Sequence, residues 1–332
     1  MDAVNFDQLF EQLSGLKVGV IGDVMLDTYM WGHVDRISPE APVPVVALDK
    51  KEYRIGGAAN VALNVRSMGA AVSMLSMVGA DEEGAALTKL LQEKGIKTDF
   101  LLNSSRRVTT NKTRIISRNQ QMMRLDHEVT TDLSYEDENR LILAIQTFIA
   151  HDKPDVLIFE DYNKGVLTGL VIEKAIALCR HHGILTTVDP KRKNFFSYKG
   201  VDVFKPNFKE VKDALHLLTD DVSIDTMRSI HEQLMNQLHH HVSLITLSER
   251  GIFYQSGDEA AILPSHLRSI ADVSGAGDTV IAIASLVYAA TRNLALMGSV
   301  ANIAGGLVCE EVGTASIRKE RLLHECKQLL IR

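Results

Sequence analysis

The chain has 332 residues, 45% of them hydrophobic and 23% charged, a composition that fits a globular protein and excludes a disordered or collagen-like one. Its 36 Lys and Arg against 42 Asp and Glu leave a net charge of −6 without a basic block, so nucleic acid is not an expected partner. No run reaches the ~18 consecutive apolar residues of a spanning helix, so no membrane is expected; the acidic, amphipathic start does not read as a secretory signal, and three cysteines without a CxxC spacing (Cys179, Cys309, Cys326) predict neither disulfides nor zinc, which makes the cytoplasm the expected compartment.

A short helix is predicted over Phe6 to Leu13, and the apolar run Lys17 to Ile21 reads as a buried strand that delivers Asp23 just past its tip. Acids at such tips tend to face the ligand crevice of open α/β sheets. From Trp31 to Ile55, prolines 39, 42 and 44 and short alternating runs predict an extended excursion from the main sheet. Ala58 to Met68 is a predicted helix, Ala71 to Val78 a strand with Met74 and Met77 as core filling, and Glu82 to Glu93 a helix. Thr98 to Leu125 then returns to β-branched, strand-like sequence able to pair with the first excursion. Beyond Asp132 the alternation is regular: helix 134–151, strand 156–159, helix 168–182, strands 185–188 and 201–205, helices 208–218 and 223–239, strand 242–247, a hairpin around Gly251 and Gly257, and helices near 276–291, 294–311 and 317–330. That order predicts an α/β fold with a central, mostly parallel sheet flanked by helices, in one domain over 1–332, with a small β-sheet lid from about 31–55 and 98–125.

The strongest chemical pattern is Ala271-Asp272-Val273-Ser274-Gly275-Ala276-Gly277-Asp278-Thr279, followed at once by an apolar helix. Small residues at 275–277 let backbone N–H groups at a helix N-terminus approach an anion, where the helix dipole also favours negative charge. Asp278 in the first turn then reads as a base that takes a hydroxyl proton while the amides stabilise a transferring phosphoryl group. A glycine turn with Asp278 as helix cap is the plainer account of the same residues. In Ile55-Gly56-Gly57-Ala58-Ala59-Asn60, two glycines before a helix let a polyol lie against the backbone, and Asn60 offers both donor and acceptor to sugar hydroxyls, although a tight strand-to-helix turn would look the same. Neither segment matches GxxxxGK[ST] or GxGxxG, so P-loop and dinucleotide-binding readings lose their main support. Lys112, Arg114, Arg124, Lys164 and Lys191 are candidate cations for a sugar phosphate; surface bases are usually only solvated, but Lys164 and Lys191 each follow a predicted strand tip on the sheet edge of Asp23 and Asp278. His239-His240-His241 reads as a solvated helix end.

The two glycine motifs resemble the paired signatures of the ribokinase-like (PfkB) carbohydrate kinases, and the resemblance extends over essentially the whole chain. Gly22 to Tyr29, Arg36 to Val45, Arg118 to Asp126, Asp161 to Gly165 and Asp189 to Lys191 resemble the heptose 7-phosphate kinase branch. The resemblance implies a ribokinase-like fold and transfer of the γ-phosphate of ATP, with Mg²⁺, to the anomeric oxygen of D-glycero-D-manno-heptose 7-phosphate, giving the β-1,7-bisphosphate for ADP-heptose and lipopolysaccharide core synthesis. It implies Asp278 as base beside Gly275, Ala276 and Gly277. On the sugar phosphate it places Asp23, Asp27, Gly56, Gly57, Asn60, Lys112, Arg124, Asp161, Lys164, Asp189 and Lys191. Along ATP it places Asn207, Lys209, Glu210, Thr246, Ser248, Gly251 and Asn302, with Glu210 serving the metal. Asn207 is equally a helix N-cap, Ala304-Gly305-Gly306 equally a close helix contact, and Glu160 and Lys205 are expected to lie beside the contact residues rather than among them. Many relatives carry a nucleotidyltransferase domain with an HxGH-type motif; this sequence has none and is expected to be the kinase half. The alternatives are a kinase for another sugar or sugar phosphate, and a silent sensor of the same fold, against which the base at 278 argues.

In the two extended segments Trp31, Ile37, Val43, Val45, Val46, Ile115 and Ile116 alternate as strands do, yet so small a sheet cannot bury them alone. One face is expected to cover the sugar and the other to pair with a second copy, making a homodimer through the lid.

Overall fold

Strands that are apolar on both faces are stable only when helices cover both sides of their sheet. The computed structural model describes residues 4–118, 120–266, 268–311, 313 and 315–330; Asn119 of the Arg118 to Asp126 motif lies outside them. In chain order the elements are α1 (Phe6–Gly15), β1 (Lys17–Gly22), β2 (Val24–Ile37), β3 (Pro44–Gly57), α2 (Ala58–Ser67), β4 (Ala71–Gly79), α3 (Glu82–Glu93), β5 (Leu101–Ser104), β6 (Asn111–Ser117), β7 (Gln120–His127), α4 (Tyr135–Asp152), β8 (Val156–Glu160), α5 (Gly169–His182), β9 (Leu185–Asp189) and β10 (Val203–Phe204). There follow α6 (Phe208–Leu215), α7 (Ile224–Leu238), β11 (Val242–Thr246), β12 (Ile252–Ser256), β13 (Glu259–Leu263), α8 (Ala276–Thr291), α9 (Leu294–Val308) and α10 (Lys319–Leu330).

A nine-stranded sheet runs β13-β12-β11-β10-β9-β8-β1-β4-β5. All its pairs are parallel except those of β12 with β11 and β13, which close one edge as a hairpin. The chain moves from β1 to β4 on one side and later to β8 on the other, so the strand order reverses at β1 and a crevice opens at the C-terminal ends of β1 and β8. Alternate side chains divide the core: Val156 and Ile158 of β8 join the layer of α1, α2, α8 and α9, while Leu157 and Phe159 join that of α4, α5 and α7. Helix α8 is buried continuously from Asp278 to Val287, as expected of a helix apolar all round. Each large apolar side chain so buried contributes about 1.5–3 kcal/mol, which fixes the N-terminus of α8 against the sheet tips.

A second sheet of four strands runs β3-β2-β6-β7, with β2 antiparallel to β3 and parallel to β6. It differs from the predicted excursions in two ways. Strand β2 starts at Val24, one residue after β1 ends, so the chain leaves the main sheet before Trp31. Leu101–Ser104, inside the second segment, belongs to the main sheet, where Leu101 is buried and pairs with Ser76 of β4. The outer strand β7 is exposed along its whole length, and Ile37, Leu48, Met123 and Leu125 are 60, 55, 55 and 51% exposed.

The triple histidine is not a solvated helix end throughout. His240 is fully buried, with Nε2 2.7 Å from Ser243 Oγ, whose other side meets His231 Nδ1 at 2.8 Å. The helix stops because His239 adopts a left-handed cap (φ 52°), which turns the next residue into the core, and burial then pushes the His240 imidazole down to about 3. Helix α6 likewise ends early, at Leu215, because His216 takes φ 55°. Among the described residues no helix is long and apolar enough to cross a membrane.

Candidate active site

Two glycine turns 218 residues apart in sequence meet at one carboxylate. Gly275 caps α8 with φ 79°, a backbone state open to glycine, and Ala276, Gly277 and Asp278 form the first turn. Gly57 precedes α2 with φ 61°, and a Cβ there would lie 2.4 Å from the Asp23 carbonyl oxygen; one on Gly56 would lie 2.3 Å from Asp27 Oδ2. These turns bring α2 and α8 together. Asn60 Nδ2 donates to Asp278 Oδ2 at 2.7 Å, and the Tyr162 hydroxyl donates to Oδ1 at 2.7 Å. Burial raises the Asp278 carboxyl pKa, the two donors oppose the rise, and the Asp189 carboxylate adds to it.

The strand tips supply the charges around this base. Asp189 at the end of β9 meets Lys205 Nζ at 2.8 Å and Lys191 Nζ at 3.3 Å, and Lys191 also meets Glu210 at 2.8 Å. Burial alone would raise the Asp189 carboxyl, but Lys191 and Lys205 outweigh it and hold the group below its ordinary value. Lys191 is raised in turn: burial works against its charge, and Asp189 and Glu210 overcome that. Lys205 is buried beside this turn: a Cβ on Gly277 would sit 3.5 Å from Asp189 Oδ2 and 3.7 Å from Lys205 Nζ. Backbone amides and an ammonium thus converge beside a carboxylate, which is an arrangement for binding an anion next to a base.

Asp23, at the β1 tip, accepts hydrogen bonds from the backbone N–H groups of Tyr162, Lys164 and Val166 at 2.9, 3.0 and 3.0 Å. Asp161 lies beneath the same loop: Oδ1 accepts from Asn163 N–H at 2.7 Å, and Oδ2 from the Tyr198 hydroxyl at 2.8 Å and from Asn194 at 3.3 Å. Burial, with Asp23 nearby, pushes the Asp161 carboxyl up to about 6. Both acids therefore organise the 162–166 loop. Asp27 is buried and pairs with Arg114. Lys112 is half-buried near the Tyr162 ring and Lys164 pairs with Glu128 at 2.6 Å. Burial lowers the Lys112 pKa, Asp27 opposes the fall, and the nearby Lys164 charge adds to it, so an anion here would favour the charged form of Lys112. Arg124 stands apart: it is on exposed β7, and among the described residues its side chain bonds Asp126 of its own strand, at 2.8 and 3.0 Å.

Toward β11, Asn207 forms a capping box with Glu210: its Oδ1 accepts from Glu210 N–H and its own N–H donates to Glu210 Oε2, both at 2.8 Å. The cap reading of Asn207 is thus the one its contacts express, and Glu210 Oε1 alone reaches the charge cluster through Lys191. Lys209 is exposed on α6. Thr246 ends β11 beside Pro206 and Asn207, Ser248 and Gly251 shape the next turn with φ 55° and 97°, and Asn302 of α9 donates to the Pro264 carbonyl at 2.8 Å. Among the described residues no group of three or more His, Cys, Asp or Glu could by itself hold a metal. Mg²⁺ takes one or two carboxylates and completes its shell with waters and substrate phosphates, and Glu210 and Asp189 would each exchange the bond to Lys191 for the ion in order to hold it.

Four residues of the site escape the sequence reading. Lys205 and Glu160, expected beside the contact residues, stand in the charge cluster around Asp189 and Asp278, and nothing in the spacing of the sequence marks Tyr162 or Arg107. Arg107 donates to the carbonyl oxygens of Thr131 and Lys164 and lines the small cavity bounded by Asp23, Thr110 and Lys164. Glu160 is fully buried with neither carboxylate oxygen partnered among the described residues; burial, then Asp189 and Asp278, push it well above the usual carboxylate range.

The ribokinase-like α/β fold, with a glycine turn beside a buried carboxylate, is that of the sugar kinases. Residues 16–321 match the pfkB family carbohydrate kinases, and the chain belongs to that family. It is 37% identical over 320 residues to the bifunctional protein HldE of Geobacter sulfurreducens, covering 96% of this chain and 64% of that protein. Against the bifunctional protein HldE of Methylobacillus flagellatus the identity is 40% over 311 residues, covering 92% and 62%. The chain thus spans less than two thirds of these relatives' length and matches their kinase portion. The fold is that of Escherichia coli phosphofructokinase-2 (TM-score 0.76, 16% identity, 96% and 100% of the chains covered) and of Arabidopsis thaliana ribokinase complexed with ribose and ATP (TM-score 0.72, 14%, 93% and 99%). Membership implies ATP as phosphoryl donor and a small-molecule acceptor.

Proposed function

We propose that the chain transfers the γ-phosphoryl group of ATP to O1 of D-glycero-D-manno-heptose 7-phosphate, giving the β-1,7-bisphosphate and ADP. The observation that carries the reading is Asp278 held between Asn60 and Tyr162 within reach of the Gly275–Gly277 turn and Lys205. In this reaction the sugar O1–H gives its proton to Asp278 as the O1–P bond forms and the bond from Pγ to the β,γ-bridging oxygen breaks. The turn amides and Lys205 hold the negative charge of the group in flight. Mg²⁺, when bound, neutralises the ATP phosphates, and Glu210 with Asp189 would hold it. Asn60 Oδ1, buried and without a partner among the described residues, suits a sugar hydroxyl, and Lys112, Lys164 and Arg107 suit the 7-phosphate. The heptose is supported by the Gly22 to Tyr29, Asp161 to Gly165 and Asp189 to Lys191 motifs and by the HldE relatives.

The reading extends to organisation. The chain acts as one kinase domain in the cytoplasm, where its three free cysteines stay reduced, with the β3-β2-β6-β7 sheet as lid. Two chains pair through the outer faces of their lids, supported by the exposed Ile37, Leu48, Met123 and Leu125. A coupled ADP-release assay over a panel of sugars and sugar phosphates tests the acceptor. The heptose 7-phosphate should give the highest kcat/KM. A higher value with fructose 6-phosphate or ribose would replace the acceptor, and no sugar-dependent release at all would remove the kinase reaction.

A further inference from the structure

The two donors to Asp278 are not equivalent. Asn60 is completely buried on α2, whereas Tyr162 is only partly buried and belongs to a loop. That loop is anchored from below by Asp23, which accepts the N–H groups of Tyr162, Lys164 and Val166. The Tyr162 ring lies between two cations, 6.0 Å from Lys112 Nζ and 5.7 Å from Lys191 Nζ, and so between a group assigned above to the sugar phosphate and the Lys191–Glu210 pair. Of the two, only the phenol can leave Asp278 without opening the core.

We propose that Tyr162 is a positioning residue that occupies Asp278 Oδ1 in the sugar-free enzyme and yields that place to the acceptor hydroxyl when the sugar binds, an inference that rests on the reading of Asp278 as the base. In the exchange one hydrogen bond replaces another: the Tyr162 bond to Oδ1 breaks, the sugar O–H bond to Oδ1 forms, and no proton moves until phosphoryl transfer. The phenol is suited to the task because burial and the Asp278 charge hold it well above its ordinary value, so it remains a donor. Its donation favours the carboxylate form of Asp278 in surroundings that otherwise disfavour it. Burial and Asp189 from β9 favour the protonated acid, with Lys205 after β10 on the other side of the balance; Glu160 from β8 and Lys191 after β9 complete the surrounding charge cluster, Glu160 itself being pushed well above the usual carboxylate range.

Tyr162→Phe keeps the ring and removes the donor. The acid limb of kcat/KM reports the free enzyme and that of kcat the substrate complex. The first should therefore move up by about one pH unit, a roughly tenfold loss below the limb, from the size of a hydrogen bond to a charged group. The limb of kcat should stay where it is. Titration of the ¹³C-labelled Asp278 carboxyl in the sugar-free protein should show the same upward movement of its midpoint without any turnover. An unmoved kcat/KM limb together with an unmoved carboxyl midpoint overturns the proposal, and equal movement of both kinetic limbs overturns the exchange by keeping the phenol on Asp278 throughout turnover. If the unmutated protein phosphorylates no sugar, the reaction assigned above falls, and the carboxyl titration still decides whether Tyr162 controls Asp278.

Discussion

Asp278→Asn separates the base from the frame that holds it. In the native site each carboxylate oxygen accepts one bond at 2.7 Å, from Asn60 and from Tyr162. An asparagine offers one acceptor and one donor, so one neighbour must change role. Asn60 can do so: its Oδ1 has no partner among the described residues, and turning its amide lets that oxygen accept from the new N–H group while Tyr162 continues to donate to Oδ1. The hydrogen bonds are thereby restored, and loss of a fully buried charge removes a desolvation cost, so folding stability should change by no more than about 1–2 kcal/mol. ATP and sugar should still bind. Turnover should not survive, because an amide cannot take the hydroxyl proton; the general-base contribution sets a loss of about 10² or more in kcat, or at least ~2.7 kcal/mol in the barrier. Coupled ADP release at saturating substrates, with calorimetric binding of each substrate, measures both halves. Native kcat in the variant would remove Asp278 as the base, and loss of binding with loss of fold would make it structural.

Lys164→Ala, which removes the ammonium paired with Glu128, should weaken the phosphorylated sugar about 10-fold or more relative to its dephosphorylated analogue; equal weakening of both sugars would remove Lys164 from the phosphate. His240 sets an acid limit: burial pushes its imidazole down to about 3 in the folded protein against an ordinary value of 6.5, so the unfolded chain binds the extra proton first and stability falls as the pH drops from about 6.5 toward 3, by on the order of 5 kcal/mol at full extent. Urea denaturation at stepped pH should show a shallower acid dependence in His240→Leu than in the native protein, and identical slopes would contradict the burial argument. Sedimentation at micromolar concentration should give a dimer that Val45→Asp or Ile115→Asp converts to monomer, and a native monomer would exclude pairing through the lid.

Much of the fold is legible because its signals are local and mutually consistent. Helices α3, α5 and α8 have predicted boundaries within a residue of the observed ones, since Asp81 and Thr168 are N-caps, Gly183 and Gly275 are left-handed caps, and each flanks a clear apolar period. The errors arise where an extended segment could join either of two sheets. Nothing in the alternation of residues 98–125 says that Leu101–Ser104 pairs with β4 while Asn111–Ser117 pairs with β2, because both stretches have the same period and the choice is made by distant partners. His240 fails for a similar reason: a polar run predicts solvent, and only the left-handed turn at His239 and the waiting Ser243 hydroxyl make a buried imidazole tolerable.

The site divides along the same line. Asn60 and Asp278 are legible because each sits in a glycine turn whose backbone geometry demands those small residues, so the motif and the contact have one physical cause. Tyr162 and Lys205 carry no such mark. Their roles come from where β8 and β10 end relative to α8, and β10 itself shrinks to Val203–Phe204, so the predicted strand through 205 hides the fact that Lys205 has left the sheet to meet Asp189. The tip acids make contacts that the sequence does not mark. Asp23 and Asp161 stand at strand tips, as ligand-facing acids do, but their oxygens accept hydrogen bonds that fix the 162–166 loop. A loop that must hold a phenol against a buried base has to be tied from beneath, and at the C-terminal edge of a parallel sheet the residues placed to tie it are the same tip acids a sequence would assign to the substrate.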